Sequence, residues 1–410
     1  MALEISVFNE GGAPMSLNST PRANRLHIGF FGRRNSGKSS LLNVFVGQEV
    51  AIVSPVLGTT TDPVYKAMEI HGLGPCVLID TAGFDDEGDL GEIRVDKTAQ
   101  AVEKTDLAIL LFHSEDISLE LQWYQRLRQQ DTPVLCVVSK ADLLADPSSL
   151  EKKVIEATGQ TPLLVSINDA SSISQLREEL LRLLPEDFDR RSIVAHLVAE
   201  GDTVLLVMPQ DIQAPAGRLI LPQVQTIREL LDNKCIVVST TTDKLAAALA
   251  ALSAPPQLII TDSQVFKTVY EQKPAASRLT SFSVLFAGYK GDLPYYLEGA
   301  AAIDSLTEHS RVLIAECCTH APLSEDIGRV KLPRLLRSRA GEGLSIDIVS
   351  GTDYPEDLSG YDLIIQCGAC MFNRKYVMSR IDRAKRQKIP MTNYGVAIAY
   401  ISGILDKITV

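Results

Sequence analysis

No run of about 18 apolar residues occurs in the chain, so no segment has the length and polarity of a membrane-spanning helix. The opening residues include Glu4 and Glu10 and lack the basic stretch and apolar core of a secretory signal. Basic charge is not in excess: the formal net charge of -11 argues against a broad nucleic-acid surface. Long low-complexity tracts are absent, and so is an even, closely spaced set of cysteines. The seven present are Cys76, Cys136, Cys235, Cys317, Cys318, Cys367 and Cys370. An odd number in a long chain without a signal fits a reducing compartment and not a disulfide scaffold. These absences predict a cytoplasmic protein with neither a membrane nor a nucleic acid as partner.

What is present reads as globular. At 410 residues the chain exceeds one ordinary core, and 45% of it is hydrophobic. Residues 1–24, rich in Gly, Ser, Asn and Pro, are expected to form a flexible arm. Residues 25–186 alternate strand and helix, with strands at 26–31, 76–79, 107–112, 134–138 and 163–165, and helices at 38–45 and 173–184. Residues 187–274 form a second α/β unit, with strands at 203–208, 235–238 and 258–260 and helices at 223–231 and 244–252. A linker is expected at Lys273-Pro274. Residues 275–410 form a third unit, with strands at 282–286, 311–315, 344–349 and 363–365 and helices at 298–308 and 373–387. The fold class is α/β: three domains, the first followed by two smaller units with mostly parallel sheets. Cys76, Cys136 and Cys235 lie in or beside strand-like runs and read as small buried hydrophobes.

The segment Gly32-Arg33-Arg34-Asn35-Ser36-Gly37-Lys38-Ser39 matches the GxxxxGK[ST] phosphate loop, and it stands between a strand and a helix as that motif requires. Gly32 and Gly37 let the backbone turn tightly against phosphate. The N–H groups of the loop and the helix start attract anionic oxygens. Lys38 reaches the β- and γ-phosphates, Ser39 offers its hydroxyl to Mg²⁺, and Asn35, Ser36 and Ser40 line the same site. Asp80-Thr81-Ala82-Gly83 follows an apolar strand, with Asp80 near Mg²⁺ and the Gly83 N–H near the γ-phosphate. In Gly58-Thr59-Thr60-Thr61-Asp62, Thr60 is the candidate that touches Mg²⁺ in the triphosphate state. Ser139-Lys140-Ala141-Asp142 provides a base pocket, where Asp142 accepts from guanine N1 and N2 and the Lys140 stem covers the ring. Ser166 is a weak match to the last guanine loop. Ser139 replaces the usual Asn, which leaves GTP preference to Asp142. The candidate catalytic residues are Lys38, Thr60, Asp80 and Gly83.

This order resembles the small GTPases of translation-factor type. Asn35 together with Gly-Thr-Thr in the switch is similar to the potassium-dependent subgroup that includes MnmE and Era. The resemblance implies a K⁺ ion near the phosphates that supplies the charge compensation given elsewhere by an arginine finger. Phe84 stands where Ras-like proteins carry a water-orienting Gln, which predicts slow intrinsic hydrolysis.

Near the other end, Cys318-x-His320 and Cys367-x-x-Cys370 offer three thiolates and one imidazole. Each pair follows a strand, where open parallel sheets place their ligands. Spacing leaves several chemistries open: zinc with four mixed ligands, a [4Fe–4S] cluster with three thiolates and one open iron, a redox dithiol at Cys367 and Cys370, or a core cysteine at 318. Arg329, Lys331, Arg334, Arg337 and Arg339 follow the first pair, and Arg374, Lys375 and Arg380 the second. Most of these read as solvated helix faces. A helix starting near Asn373 points its positive end at the sulfurs.

Taken together, the nucleotide motifs and Cys-x-His followed by Cys-x-x-Cys about fifty residues on resemble the HydF family, the GTPase scaffolds of [FeFe]-hydrogenase maturation. The resemblance implies a homodimer through the middle unit and a [4Fe–4S] cluster on Cys318, Cys367 and Cys370. It implies a diiron precursor with CO and CN⁻ ligands as cargo, the radical enzymes HydE and HydG as partners, and apo-[FeFe]-hydrogenase as recipient. Gln366 occupies the position of the family's His before the second cysteine pair. The fourth ligand is then His320, a carboxylate (Glu316, Glu325 or Asp326) or an exogenous group. Two other functions compete with this one. The first is a tRNA- or ribosome-directed GTPase with structural zinc, opposed by the acidic balance, by the absence of a KH-like GXXG segment after the GTPase (Gly288-Tyr289-Lys290-Gly291 shares the spacing alone) and by a C-terminus without a cysteine. The second is a nucleotide-regulated dithiol oxidoreductase.

Overall fold

The computed structural model describes residues 22–47, 63–70, 73–85, 89–184, 191–209, 219–317, 327–369 and 372–409. Thr60 and its switch segment, Cys318, His320, Cys370, Glu325 and Asp326 lie outside the described residues. The chain divides into two compact units, Met1–Glu186 and Asp187–Val410.

In the first unit the strands are β1 (Leu26–Gly32), β2 (Val64–Ile70), β3 (Gly74–Asp80), β4 (Leu107–Phe112), β5 (Val134–Ser139) and β6 (Leu163–Val165). They form one sheet in the order β2-β3-β1-β4-β5-β6. All pairings are parallel except that of β2 with β3. The largely apolar strands β1, β4 and β5 are buried on both faces, as strands covered by helices on each side must be. The half-exposed β2 lacks such a run, which is why periodicity missed it. Phe31, Phe84 and Trp123 gather in the core on one face, with the Phe84 and Trp123 rings stacked at 5.4 Å.

The second unit holds two four-stranded parallel sheets. One contains β7 (Thr203–Val207), β8 (Ile236–Thr240), β9 (Leu258–Thr261) and β10 (Arg278–Ser281), ordered β10-β9-β7-β8. The other contains β11 (Arg311–Ala315), β12 (Ser345–Val349), β13 (Leu363–Gln366) and β14 (Met391–Asn393), ordered β12-β11-β13-β14. Counted within each sheet, both follow the order 2-1-3-4. In both, the last strand runs directly into a helix through a polar cap. Ser281 Oγ accepts the Val284 N–H at 3.3 Å, and Asn393 Oδ1 accepts the Val396 N–H at 2.9 Å. The two helices, Phe282–Lys290 and Tyr394–Ile401, pack so closely that a Cβ on Gly395 would stand 2.4 Å from Ser283 Oγ.

Three expectations are corrected here. Residues 282–286 are helical, not a strand. A short apolar run has no period that separates a buried strand from a buried helix, and the Ser281 cap decides for the helix. The helix expected at 298–308 begins earlier, at Leu293, capped by Asp292 Oδ1 on the Tyr295 N–H, and gives way to a 3-10 turn at Ala301–Ser305. The linker at Lys273-Pro274 is a turn inside a sheet: β10 beyond it pairs with β9, Arg278 opposite Leu258. Cys76, Cys136 and Cys235 are free and buried. Burial pushes the first two thiols up to about 12. Among the described residues no helix is long and apolar enough to cross a membrane.

Gly299 lies on the helix Leu293–Ala300, where an added Cβ would meet the Met391 carbonyl oxygen at 2.1 Å. A backbone atom of β14 cannot swing aside as a side chain does. Gly299→Ala is therefore expected to cost on the order of 3 kcal/mol of stability, read as a lower denaturant midpoint at constant slope.

Candidate functional site

The phosphate loop emerges from β1, one of the two central strands of its sheet, and opens the helix Lys38–Val46. Gly37 has φ +94 and Asn35 φ +59, so the loop turns through left-handed backbone at two points. A Cβ on Gly32 would come within 2.6 Å of Ser36 Oγ, a hydroxyl that is itself buried without a hydrogen-bond partner. Lys38 is buried and donates to the carbonyls of Gly32 at 2.8 Å and Arg33 at 2.7 Å. Its ammonium thus lies across the hollow of the loop. Ser40 follows Ser39 on the first turn of the helix.

Ser39 Oγ donates to Asp80 Oδ2 at 2.6 Å. Burial raises the Asp80 carboxyl above its ordinary range, with the Ser39 hydrogen bond and the Lys38 charge acting in the opposite sense. A divalent cation beside these two oxygens would remove the cost of burying that charge, so the donor set fits Mg²⁺. Gly83 faces the same loop: a Cβ there would meet the Arg34 backbone nitrogen at 2.7 Å. The Arg34 N–H donates to Asp85 Oδ1 at 2.5 Å. A carboxylate therefore already sits on a loop amide, which shows that the loop accepts an anion. Phe84 points the other way, into the core against Trp123.

The candidate base-recognition segment begins on the last residue of β5. Ser139 Oγ donates to the Ser36 carbonyl at 2.7 Å, which ties it to the phosphate loop in place of the longer amide expected at that position. Lys140, at φ +53, donates to the Asn35 carbonyl at 2.7 Å. Asp142 is exposed, and Asn168 Nδ2 donates to its Oδ2 at 3.0 Å. Hydrogen bonds from Ser166 and Asn168 hold this carboxyl below its ordinary range. Asn35, Ser36, Gly37, Lys38, Ser39, Asp80, Gly83, Lys140 and Asp142 thus gather along the ends of β1, β3 and β5.

Four residues at this site escaped sequence reasoning. Glu120, fully buried, accepts Arg33 Nε at 3.0 Å, and Asp116 takes Arg33 Nη2 at 2.9 Å. Asp85 is the third. The fourth is His113, just beyond β4, whose Nδ1 is buried without a partner. Burial and the charges of Lys140, Arg33 and Lys38 lower its imidazole. None of these belongs to a spaced motif. Glu120 is 87 positions from its partner, and only the stacking order of the strands joins them.

In the other unit the register of β11 on β13 sets Ala315 opposite Gln366. Cys317 and Cys367 leave these neighbouring strands together. The Cys367 N–H donates to the Ala315 carbonyl at 3.0 Å, and the Cys317 N–H donates to Cys367 Sγ at 3.0 Å. A backbone N–H on sulfur stabilises electron-rich thiolate, as at metal-bound cysteines. Gln366 is fully buried, and both its amide atoms lack a hydrogen-bond partner. These orphaned atoms, at the same strand end as Cys367, fit a bound polar group. Lys290, also buried, donates to the Ala369 and Phe372 carbonyls at 3.0 and 2.9 Å, one on either side of residues 370 and 371. Asn373 caps the helix Arg374–Arg386. Glu316 Oε2 is engaged by Arg329 at 2.9 Å and Ser350 at 3.1 Å, so this carboxylate already has its cation. Arg380, read as a solvated face, is buried. Among the described residues no group of three or more His, Cys, Asp or Glu side chains is placed to hold a metal ion.

Three family models match consecutive parts of the chain. The 50S ribosome-binding GTPase model matches residues 27–140, the hydrogen maturase F dimerization domain 193–291, and the hydrogen maturase F tetramerization domain 294–409. Among curated proteins, the tRNA modification GTPase MnmE of Nitrosomonas europaea is 42% identical over 37% of this chain and 33% of its own length. The MnmE of Chromobacterium violaceum is 35% identical over 39% of this chain and 35% of its own. The chain thus spans about a third of the length of these relatives. A solved structure of Era in complex with MgGDPNP and 16S ribosomal RNA matches at 17% identity and TM-score 0.36, covering 55% of this chain and 97% of that one. The two hydrogen maturase F models together span just over half of the chain and follow a GTPase domain in the expected order, so the chain belongs to the HydF-type GTPases.

Proposed function

We propose that the protein binds and hydrolyses GTP and serves as a scaffold and carrier for a metallocofactor of [FeFe]-hydrogenase. The cargo would be the diiron precursor and the recipient the apo-hydrogenase, with HydE and HydG as the enzymes that build it. The observation that carries this reading is the pairing of β11 with β13, which brings Cys317 and Cys367 within one hydrogen bond, in a segment matched by the tetramerization-domain model. Cys318, Cys367 and Cys370 would hold a [4Fe–4S] cluster, with His320 as a further candidate ligand. Such a cluster supplies an iron with one coordination position free for a second metal fragment.

At the nucleotide, Lys38 would leave the Gly32 and Arg33 carbonyls for the β- and γ-phosphates. Ser39 and Thr60 would bind Mg²⁺, with Asp80 orienting its water. The Gly83 N–H would meet the γ-phosphate, and Asn35 would help hold K⁺. Asp142, kept ionised by Ser166 and Asn168, would accept from guanine, with Lys140 over the ring. The buried, core-facing Phe84 supports slow intrinsic hydrolysis, because it cannot orient a water. The middle sheet supports a homodimer: its edge strand β8 leaves Ile236 58% exposed, in a segment matched by the dimerization-domain model. A tRNA-directed GTPase is the second reading, favoured by the identity to MnmE, but that identity covers only about two-fifths of the chain.

Lys38→Ala is expected to lower hydrolysis by about 10²-fold or more while cluster assembly proceeds as in the parent. Loss of both in a folded variant would tie the two sites together. Potassium should accelerate hydrolysis about tenfold or more over sodium, and equal rates would remove the role given to Asn35. After reconstitution without air, the iron–sulfur absorption band should disappear in Cys318→Ala, Cys367→Ala and Cys370→Ala. Stoichiometric zinc with no iron uptake would favour the tRNA-directed reading.

A further inference from the structure

Arg380 is the bulkiest of the fully buried side chains, at 1% exposure on the helix Arg374–Arg386. A guanidinium stays protonated at any working pH, so this is a full positive charge inside the protein. Its Nη1 stands 3.3 Å from Cys317 Sγ. Its Nη2 donates to the Gly351 carbonyl and, at 3.3 Å, to the Tyr376 hydroxyl oxygen. The guanidinium also lies 4.8 Å from the ring centroids of Tyr354 and Tyr376 and 5.9 Å from that of Phe372. Nε is buried with no partner. No carboxylate is among these contacts. Ring faces, one carbonyl and one phenol contribute partial negative charge, but a buried cation is ordinarily retained opposite a whole one.

Among the contacts given above, the sulfur is the one that becomes a full anion when it serves as a metal-bound thiolate. Arg380 touches Cys317, and the Cys317 N–H bonds Cys367 Sγ. The buried Gln366 amide, with no partner of its own, belongs to the same strand end. Helix propensity does not call for Arg here, and an apolar side chain of equal volume would fill the space without bringing in a charge.

We propose that Arg380 is the counter-charge of the cysteine site: it balances a sulfur-ligated anionic iron cluster held at the ends of β11 and β13 and favours the more reduced state of that cluster. This rests on the cluster-binding reading above. On reduction the cluster takes up one electron from a low-potential donor, dithionite in the test. No bond forms or breaks, and the site becomes one charge more negative. A fixed cation nearby stabilises the more negative state and raises the reduction potential.

The full-length protein is reconstituted anaerobically with iron and sulfide and titrated with dithionite, with EPR as readout, alongside Arg380→Met and Arg380→Lys. Thermal midpoints are recorded before and after loading. The Met variant keeps the volume and removes the charge. Its metal-free form should melt at or above the parent's temperature, its gain on loading should be smaller than the parent's, and its potential should fall. The Lys variant keeps the charge, and its potential should stay near the parent's. If Arg380→Met holds a cluster at the parent's potential with an equal gain on loading, Arg380 is a packing residue and the proposal is overturned. Should the Met variant not fold, a potential in Arg380→Lys clearly below the parent's overturns it as well. A parent protein that takes up no iron overturns the cluster reading itself, which separates that failure from the failure of Arg380.

Discussion

The alignment of β11 on β13 is the constraint on which the cysteine site depends. Side chains alternate between faces along a strand, so a slip of one residue would exchange the inward and outward sets and carry Cys367 away from the Cys317 N–H. What fixes the alignment is apolar. Val312, Leu313 and Ile314 face Leu363, Ile364 and Ile365 in register, all fully buried. Leu313 and Ile364 belong to one core cluster, Ile314 and Ile365 to another. Both faces of the sheet therefore resist a shift, and Cys317 and Cys367 stand just beyond its end.

The same device recurs in the GTPase unit. There β1, β3, β4 and β5 run parallel, and the phosphate loop, Asp80, His113 and Ser139 all stand at or just beyond their carboxyl ends. Charge is buried at both sites, yet it is managed differently. Around the phosphate loop, Arg33 has Glu120 and Asp116, and Lys38 rests on two carbonyls. Lysine can move off neutral carbonyls when phosphate arrives, whereas the arginine is locked to its carboxylates and braces the loop. In the other unit, Lys290 and Arg380 are both buried close to the Cys367 turn, and the contacts of Arg380 include no carboxylate.

The second unit is built twice from one plan. Two sheets of order 2-1-3-4 each end in a strand that turns into a helix over a Ser or Asn cap, and those two helices meet at Gly395 and Ser283. Only the later copy carries cysteines beyond its strands. The outer strands β8 and β12 share one pattern of exposure, so the sheet edge itself does not tell the copies apart.

Much of this was legible in the order of residues. The glycine loop, the acidic residue that ends β3, the long apolar strands and the places of Cys317 and Cys367 just beyond β11 and β13 are local patterns, and local patterns report local geometry. Residues 282–286 were misread because an apolar run short enough for a strand is also short enough for a buried helix, and a single serine before it decides between them. Asp85 on the loop amide, Glu120 beneath Arg33, and the burial of His113 and Arg380 left no local trace, because each depends on neighbours brought near by strands far apart in the chain. The sequence by itself determined which chemical groups exist and at which strand ends they stand. The tertiary structure alone decided which of them are stripped of water and what they face, since burial and charge pairing are properties of neighbours in space.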